Sequence, residues 1–376
     1  MISELTLLDR TLTLFRYPIR NNETLQAWDA GDEYLIQHVE EMSLPTQQNI
    51  LVINDNFGAL SCWFSENHHV TMVSDSYIAQ QATQKNLEQN HCNSVTLLTS
   101  LDALPTKIDL VVMQIPRNNR YLTWQLAQLR QSLSEDVPVI AVNKAKEIHS
   151  STLKLFEKYL GHTRTSLAWK KHRLVFSSAN TNQPLTVEAF TKWKVEEHNI
   201  RLKNLANVYS GESLDQGARF MLEHLPSGDQ HQKVIDLGCG NGVLSVKLAQ
   251  LNPNMAITCV DESHMAVASA KQNLLDNIGE DRDFQFIANN CLDGFIGDEY
   301  DLVVCNPPFH QQQAVTDHIA WQMFCDAKHV LGNGGQLLVI GNRHLGYDVK
   351  LKRLFGKSNV TLVAANKKFV ILQATK

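Results

Sequence analysis

Asn306-Pro307-Pro308-Phe309 closes an apolar run, Tyr300-Asp301-Leu302-Val303-Val304-Cys305, that reads as a strand. Two prolines after an asparagine fix a stiff, extended turn. Such a turn can present the Asn306 side-chain oxygen and the Pro307 carbonyl to one –NH2 group. An amine on a heteroaromatic ring is a weak nucleophile, because its lone pair is delocalised into the ring. Two acceptors on its hydrogens draw the nitrogen towards tetrahedral geometry and free that lone pair. Phe309 can stack on the ring and hold it in line. The product ammonium is strongly acidic, so no dedicated base is needed.

Upstream, Val234-Ile235 leads into Asp236-Leu237-Gly238-Cys239-Gly240-Asn241-Gly242. Glycines between a strand and a helix let the backbone approach a ligand and aim free N–H groups at it. Asp261, about twenty residues on at the end of the next strand, suits paired ribose hydroxyls. A dinucleotide-binding domain looks similar in this stretch, but Asp236 suits an ammonium and would repel a pyrophosphate. No Lys-Ser/Thr ends the loop as in a phosphate-gripping one. Asn290, after the expected strand 284–288, is placed to reach an adenine edge, with Asn289 the alternative and a turn cap the competing role for either. The expected cofactor contacts are Asp236, Gly238, Gly240, Asn241, Asp261, Asn290 and Asn306. The expected catalytic set is Asn306, Pro307, Pro308 and Phe309. Loop and turn together point to methyl transfer from S-adenosylmethionine to a ring nitrogen. Cys305 falls inside the strand pattern and reads as a packed thiol rather than a nucleophile. His310 reads equally well as a substrate contact or a surface histidine.

The elements that must position these groups occur twice. Val70-Thr71-Met72-Val73-Ser74-Asp75 resembles Ile257-Thr258-Cys259-Val260-Asp261-Glu262, and Lys85-Asn86-Leu87 parallels Gln272-Asn273-Leu274. Gly58-Ala59-Leu60-Ser61 matches Gly242-Val243-Leu244-Ser245, and Ile108 to Arg117 matches Tyr300 to Phe309. Val142-Asn143-Lys144 matches Gly341-Asn342-Arg343. Short β-branched runs alternate with helical stretches in each half, which predicts an α/β fold with a mainly parallel sheet and helices on both faces. The expected organisation is a first domain over 1–180, a helical linker over 181–207 and a catalytic domain over 208–376. The copies differ where chemistry would sit. Val52 stands for Asp236, Asn54 for Gly238, Asn56 for Gly240, Ser74 for Asp261, Gln114 for Asn306 and Arg117 for Phe309. The first copy is therefore expected to be non-catalytic.

At 376 residues, two domains are the natural expectation. The net charge of −5 argues against a nucleic-acid coat protein but leaves room for a local basic face. Seven cysteines, none spaced CxxC, give poor zinc and disulfide readings and fit a reducing cytoplasm. No metal is expected. The first residues carry acid and no basic segment, so no signal peptide is expected, and no apolar run reaches a membrane span.

The glycine loop and Asn306-Pro307-Pro308-Phe309-His310, with the decayed first copy, resemble the bacterial ribosomal RNA guanine-N2 methyltransferases over nearly the whole chain. The likeness is greatest to those acting on large-subunit (23S) RNA. The resemblance implies two tandem Rossmann-like class I methyltransferase domains, each a mainly parallel seven-stranded sheet flanked by helices, the first degenerate. It implies S-adenosylmethionine on Asp236, Gly238, Gly240, Asp261 and Asn290, and the target guanine at Asn306 to Phe309. It also implies a ribosomal RNA partner and a first domain that aids RNA binding; a monomer and a cytoplasmic location are expected alongside. The alternatives are small-subunit 16S RNA, adenine N6 of DNA, a protein glutamine amide, or a scaffold of the same fold that binds without reacting. Lys144, Lys146, Lys154, Lys158, Arg164, Trp169, Lys170, Lys171 and Arg173 form a basic and aromatic set in the first half, and Arg343, Lys350, Lys352, Arg353, Lys357, Lys367 and Lys368 one in the second.

Overall fold

Strands buried on both faces need apolar side chains at consecutive positions, and those runs build the sheets here. The computed structural model describes residues 3–20, 23–180, 187–228, 230–308 and 313–376, the side chains of 313–317 excepted. The chain divides into two units, Met1–Ala189 and Phe190–Lys376. The second holds a sheet of Lys233–Leu237, Ala256–Asp261, Phe284–Ala288, Tyr300–Cys305, Leu331–Asn342, Val360–Ala365 and Phe369–Thr375. The first holds one of Asn49–Ile53, His69–Ser74, Thr96–Thr99, Leu110–Gln114, Pro138–Lys144, Arg164–Thr165 and His172–Ser178. With the strands of each sheet numbered 1 to 7 along the chain, both run in the spatial order 3-2-1-4-5-7-6. Strands 1 to 5 are parallel, and strand 7 runs antiparallel to strands 5 and 6.

Successive residues of the central strands feed opposite faces. Val234, Leu302 and Val304 join one core with Val246, Leu248 and Leu274. Ile235, Leu237, Val303 and Cys305 join the other with Phe324, Leu337 and Leu351. The first unit divides Ile50 and Val52 from Leu51 and Ile53 in the same way.

Each unit also carries a two-stranded hairpin. In the second unit it is Thr191–Val195 with Ile200–Asn204. This corrects the expectation of a helical connector before Asn207. The side chains there alternate in burial, with Val195, Ile200 and Leu202 buried and Lys192, Lys194 and Arg201 exposed, a period-two pattern that a helix cannot satisfy. The hairpin packs on helix His264–Ile278, where Asn273 Oδ1 accepts from the Lys203 N–H (2.7 Å) and Asn277 Oδ1 from the Arg201 N–H (2.9 Å). The first unit repeats the device. Hairpin Glu4–Leu7 with Arg10–Thr13 is held by Asn90 Oδ1 on the Thr13 N–H (2.8 Å), and Asn86 Oδ1 takes the Phe15 N–H (3.0 Å). The duplicated block thus begins at the hairpin. Residues 181–186 of the expected linker lie outside the described residues.

Gly242 precedes helix Val243–Leu251 with φ +76, and a Cβ there would meet Ala270 Cα and Cβ at 2.9 Å. Gly58 repeats this, with φ +90 and Thr83 Cα at 2.8 Å. Gly242→Ala is expected to destabilise the second unit by roughly 1–3 kcal/mol, from strain and the forced separation of two helices. A thermal melt showing an unchanged second-unit transition would contradict this close approach.

Candidate active site

Strands 1 and 4 of the second sheet are parallel neighbours, with Leu237 opposite Cys305. The glycine loop and Asn306-Pro307-Pro308 therefore leave the sheet side by side, about 5 Å apart at the strand ends. Gly238 and Gly240 take φ of +73 and +53, in the left-handed region. The N–H groups of Gly238 and Cys239 both donate to the Val260 carbonyl (2.8 and 3.0 Å), folding the loop over the end of strand 2. A Cβ added at Gly240 would meet nothing within 4 Å, so the loop faces open space there.

Asp236 is the penultimate residue of strand 1 and is 1% exposed. Ser245 Oγ donates to its Oδ2 at 2.6 Å, while Oδ1 is enclosed and has no partner among the described residues. Burial pushes this carboxyl up to about 6, and the neighbouring Asp261 charge adds to the rise against the Ser245 hydrogen bond. A buried carboxylate with a lone oxygen is suited to a cationic donor such as an ammonium group. Asp261, half-buried, uses both oxygens locally: Oδ2 accepts from the Gly240 N–H (2.9 Å) and Oδ1 from the Ser263 N–H (3.0 Å). It braces the glycine loop as well as standing at its edge.

Asn241 turns its side chain to the helix. Its Oδ1 accepts from the Val243 N–H (3.1 Å), and its carbonyl accepts from buried Asn273 Nδ2 (2.9 Å). It shapes the loop. After strand 3, Asn289 Nδ2 donates to the Asp293 carbonyl (2.8 Å) and so closes a turn. Asn290 is 3% exposed and accepts from Gln322 Nε2 at 3.4 Å. Of the two, Asn290 is the one whose side chain is not spent on the turn's backbone.

Asn306 is half-buried, and its Oδ1 is enclosed without a partner among the described residues. Pro307 is buried and Pro308 exposed. Phe309 and His310 lie outside the described residues. Cys305 is fully buried with Sγ 4.0 Å from Met323 Sδ, and burial pushes its thiol well up, which makes it a packing residue. Sequence reasoning used Asn342 only as a repeat marker. It ends strand 5, is 9% exposed, and its Oδ1 too has no partner among the described residues. Its repeat mate Asn143 donates to the carbonyl of Ile115, the counterpart of Pro307, at 3.3 Å. The signal was in the repeat: an asparagine kept at the end of strand 5 in a copy that lost the rest.

The first unit fills the matching positions with its own side chains. Asn54, at φ +62, pairs reciprocally with Gln125 (3.1 and 2.8 Å) and donates to the Gln114 carbonyl (2.9 Å). Gln114 donates to buried Asp32 at 2.5 Å. Asp55, the buried acid of this loop, accepts from the Gly58 N–H, the Ser61 N–H and Ser61 Oγ at 2.7–2.9 Å. Where the second unit leaves acceptors open, the first closes them.

No group of His, Cys, Asp and Glu able to hold a metal ion occurs among the described residues, and none of their helices is long and apolar enough to cross a membrane.

Residues 2–181 match the model of the RLMG N-terminal domain, and residues 199–373 that of the methyltransferase small domain. Ribosomal RNA large subunit methyltransferase G of Vibrio parahaemolyticus is 69% identical over 376 residues, covering 100% of this chain and 98% of that protein. The protein of that name from Vibrio vulnificus is 68% identical, with 100% of both chains covered. The solved structure of the Thermus thermophilus 16S rRNA N2 G1207 methyltransferase, in complex with AdoMet and guanosine, superposes with a TM-score of 0.76 at 19% identity, covering 99% and 97% of the two chains. The fold and the glycine loop define a methyltransferase with tandem Rossmann-like domains whose cofactor is S-adenosylmethionine. The chain belongs to the ribosomal RNA large subunit methyltransferase G family. The expected fold class and family are borne out.

Asp236 has a higher proton affinity folded than unfolded, so its effect on stability has a definite sign. The protonated acid costs little, and stability is lost as pH rises from about 4 to about 6. Asp236→Asn is expected to flatten the stability–pH curve in that window, by up to about 3 kcal/mol, as read from denaturant melts. An identical slope in the variant would show that Oδ1 is not isolated. Calorimetry is expected to return one S-adenosylmethionine per chain, because the first unit's matching positions are occupied by Asn54, Gln114 and Gln125. Two sites would refute that reading.

Proposed function

We propose that this chain methylates the exocyclic N2 amine of a guanine in large-subunit ribosomal RNA. The observation that carries the reading is Asn306 Oδ1, enclosed, without a partner among the described residues and level with the glycine loop. A buried acceptor left unmade costs about 1–3 kcal/mol, and a substrate N–H would recover it. S-adenosylmethionine, when bound, supplies an electrophilic methyl group. Asp236 Oδ1 would take an ammonium hydrogen, Asp261 would face ribose hydroxyls while holding Gly240, and Asn290 would reach adenine. Asn306 Oδ1 and the Pro307 carbonyl accept the two amine hydrogens of the guanine, and the stiff Pro307-Pro308 pair keeps both acceptors in place. Phe309 is proposed to stack on the ring. The surplus proton leaves to water.

The target atom is hidden in folded RNA, so the nucleotide is extruded or already unpaired. The names of the relatives favour large-subunit RNA, while the Thermus neighbour is named for the 16S molecule at much lower identity. Such a substrate places the enzyme in the cytoplasm. All the proposed contacts come from one unit, so a monomer suffices. The first unit, its own site closed, supports RNA binding in this reading. Its Trp169 carries Lys170 at 4.4 Å, although Lys170 also pairs with Glu33 at 2.7 Å.

Asn306→Ala is expected to lower methyl transfer by roughly 10²–10³-fold, in line with removing one directed hydrogen-bonding group from a reacting centre. S-adenosylmethionine affinity should stay nearly unchanged. Labelled cofactor offered with separate RNA, DNA and protein pools provides the assay, with N2-methylguanine identified after nuclease digestion. Equal loss of transfer and cofactor affinity would make the turn merely structural. Label in protein or DNA would transfer the chemistry to another amine.

A further inference from the structure

Asn342 ends strand 5 and stands outside the contacts assigned to the cofactor and the amine. It is 9% exposed, and its Oδ1 is enclosed without a partner among the described residues. Capping a turn is the ordinary reason for an asparagine at a strand end. Asn342 precedes the short helical turn Arg343–Leu345 but makes no side-chain capping bond to it. In the first unit the same asparagine is spent at both ends of its amide. Asn143 Nδ2 donates to the Ile115 carbonyl (3.3 Å), and its Oδ1 accepts from the Lys144 N–H (2.7 Å). The Ile115 N–H also donates to the Val142 carbonyl (3.0 Å), which ties that turn to strand 5. Pro307 stands for Ile115 in the second unit and has no N–H, so this tie cannot form there. The second copy kept the asparagine and lost a bond that holds the turn beside it.

Strands 1, 4 and 5 are neighbours in the sheet. On the face that carries Val234, Val304 and Ile340, the period of two next brings Asp236, Asn306 and Asn342. Their enclosed oxygens therefore stand on one face, in that order, at about 5 Å per strand. The order decides what each can touch. The sulfonium donor belongs to the strand 1 loop, and the amine it methylates belongs to Asn306. The ring bearing that amine extends beyond Asn306, away from the donor and towards strand 5. Guanine carries N1–H and O6 next to its N2 amine. One amide matches that pair, with an oxygen to accept from N1–H and an NH2 to donate to O6. Adenine sets a bare N1 lone pair next to its N6 amine, and an enclosed carbonyl oxygen facing it would repel it.

We propose that Asn342 is the residue that makes the site read guanine: its Oδ1 accepts from N1–H of the target base and its Nδ2 donates to O6. The inference rests on the guanine-N2 reading above. The test uses an RNA spanning the guanine that the wild-type enzyme labels, and the same RNA with 2-aminopurine at that position. 2-Aminopurine keeps the amine to be methylated and lacks both N1–H and O6. Wild type is expected to favour guanine by roughly 10–100-fold in kcat/KM, because the analogue leaves an enclosed acceptor unmade. Asn342→Ala should slow transfer to guanine by a similar factor, leave transfer to 2-aminopurine nearly unchanged, and so remove most of the preference. S-adenosylmethionine affinity should not change. The melting temperature should hold or rise, since an acceptor without a partner is removed. If Asn342→Ala does not fold, Asn342→Leu, which is close to asparagine in size, takes its place in the same comparison. An equal loss on both bases would make Asn342 a structural residue. An unchanged preference for guanine in the variant would put the contact to N1–H elsewhere. Either result overturns the proposal and leaves the methylation standing. A wild type that labels no RNA would instead remove the reading on which the proposal rests.

Discussion

The parallel register that sets Leu237 opposite Cys305 is the constraint on which the site depends. Strands 1 and 4 are buried on both faces, so nothing polar can be presented along their length without cost. Polar groups can meet only where the strands end. There the glycine loop turns over strand 2 through the Val260 carbonyl, and Asn306 begins the diproline turn one strand away. A register shift of one residue would exchange the faces of Val303 and Val304 between two filled cores, so the apolar packing itself holds donor loop and acceptor turn level.

The duplication separates what the fold requires from what the chemistry requires. Both copies keep a buried asparagine, Asn86 and Asn273, that ties the hairpin to the strand 1 loop through the Phe57 and Asn241 carbonyls. Both keep a left-handed glycine pressed on the next helix, at Gly58 and Gly242. These are folding devices, and losing one would open the unit. The copies part at the strand ends. The first unit satisfies Asn54, Gln114 and Asp55 internally, which stabilises it and closes it. The second leaves Asp236 Oδ1, Asn306 Oδ1 and Asn342 Oδ1 without a partner among the described residues. Each costs stability until a ligand donates to it, which is the usual compromise between a site and its scaffold.

The strands, both sheets and the placement of Asp236, Gly238 and Asn306 were legible in the sequence, because consecutive apolar residues and left-handed glycines leave local marks. The hairpin was missed because Lys, Glu and His in Thr191–Asn204 suggest a helix by composition, while the buried positions alternate in twos. Asn241 is expected to touch the cofactor from its place among glycines; that its Oδ1 holds the Val243 N–H depends on the direction of the side chain, which spacing does not encode. Asp261 shows the reverse. Its place at the end of strand 2 was legible, but its hold on the Gly240 and Ser263 N–H groups depends on how the loop folds back.

Electrostatics then limits how such a chain can recognise RNA. With 34 basic and 39 acidic side chains, no general attraction to phosphate is available. Many cations are also committed: Lys170 to Glu33, Lys203 to Asp276, Lys352 to Asp348 and Lys376 to Asp298. A phosphate would have to displace a carboxylate at each, gaining little over the exposed pair it breaks. Recognition must then draw on the enclosed acceptors at the strand ends. In the proposed reading those acceptors hold one guanine amine where its lone pair can react.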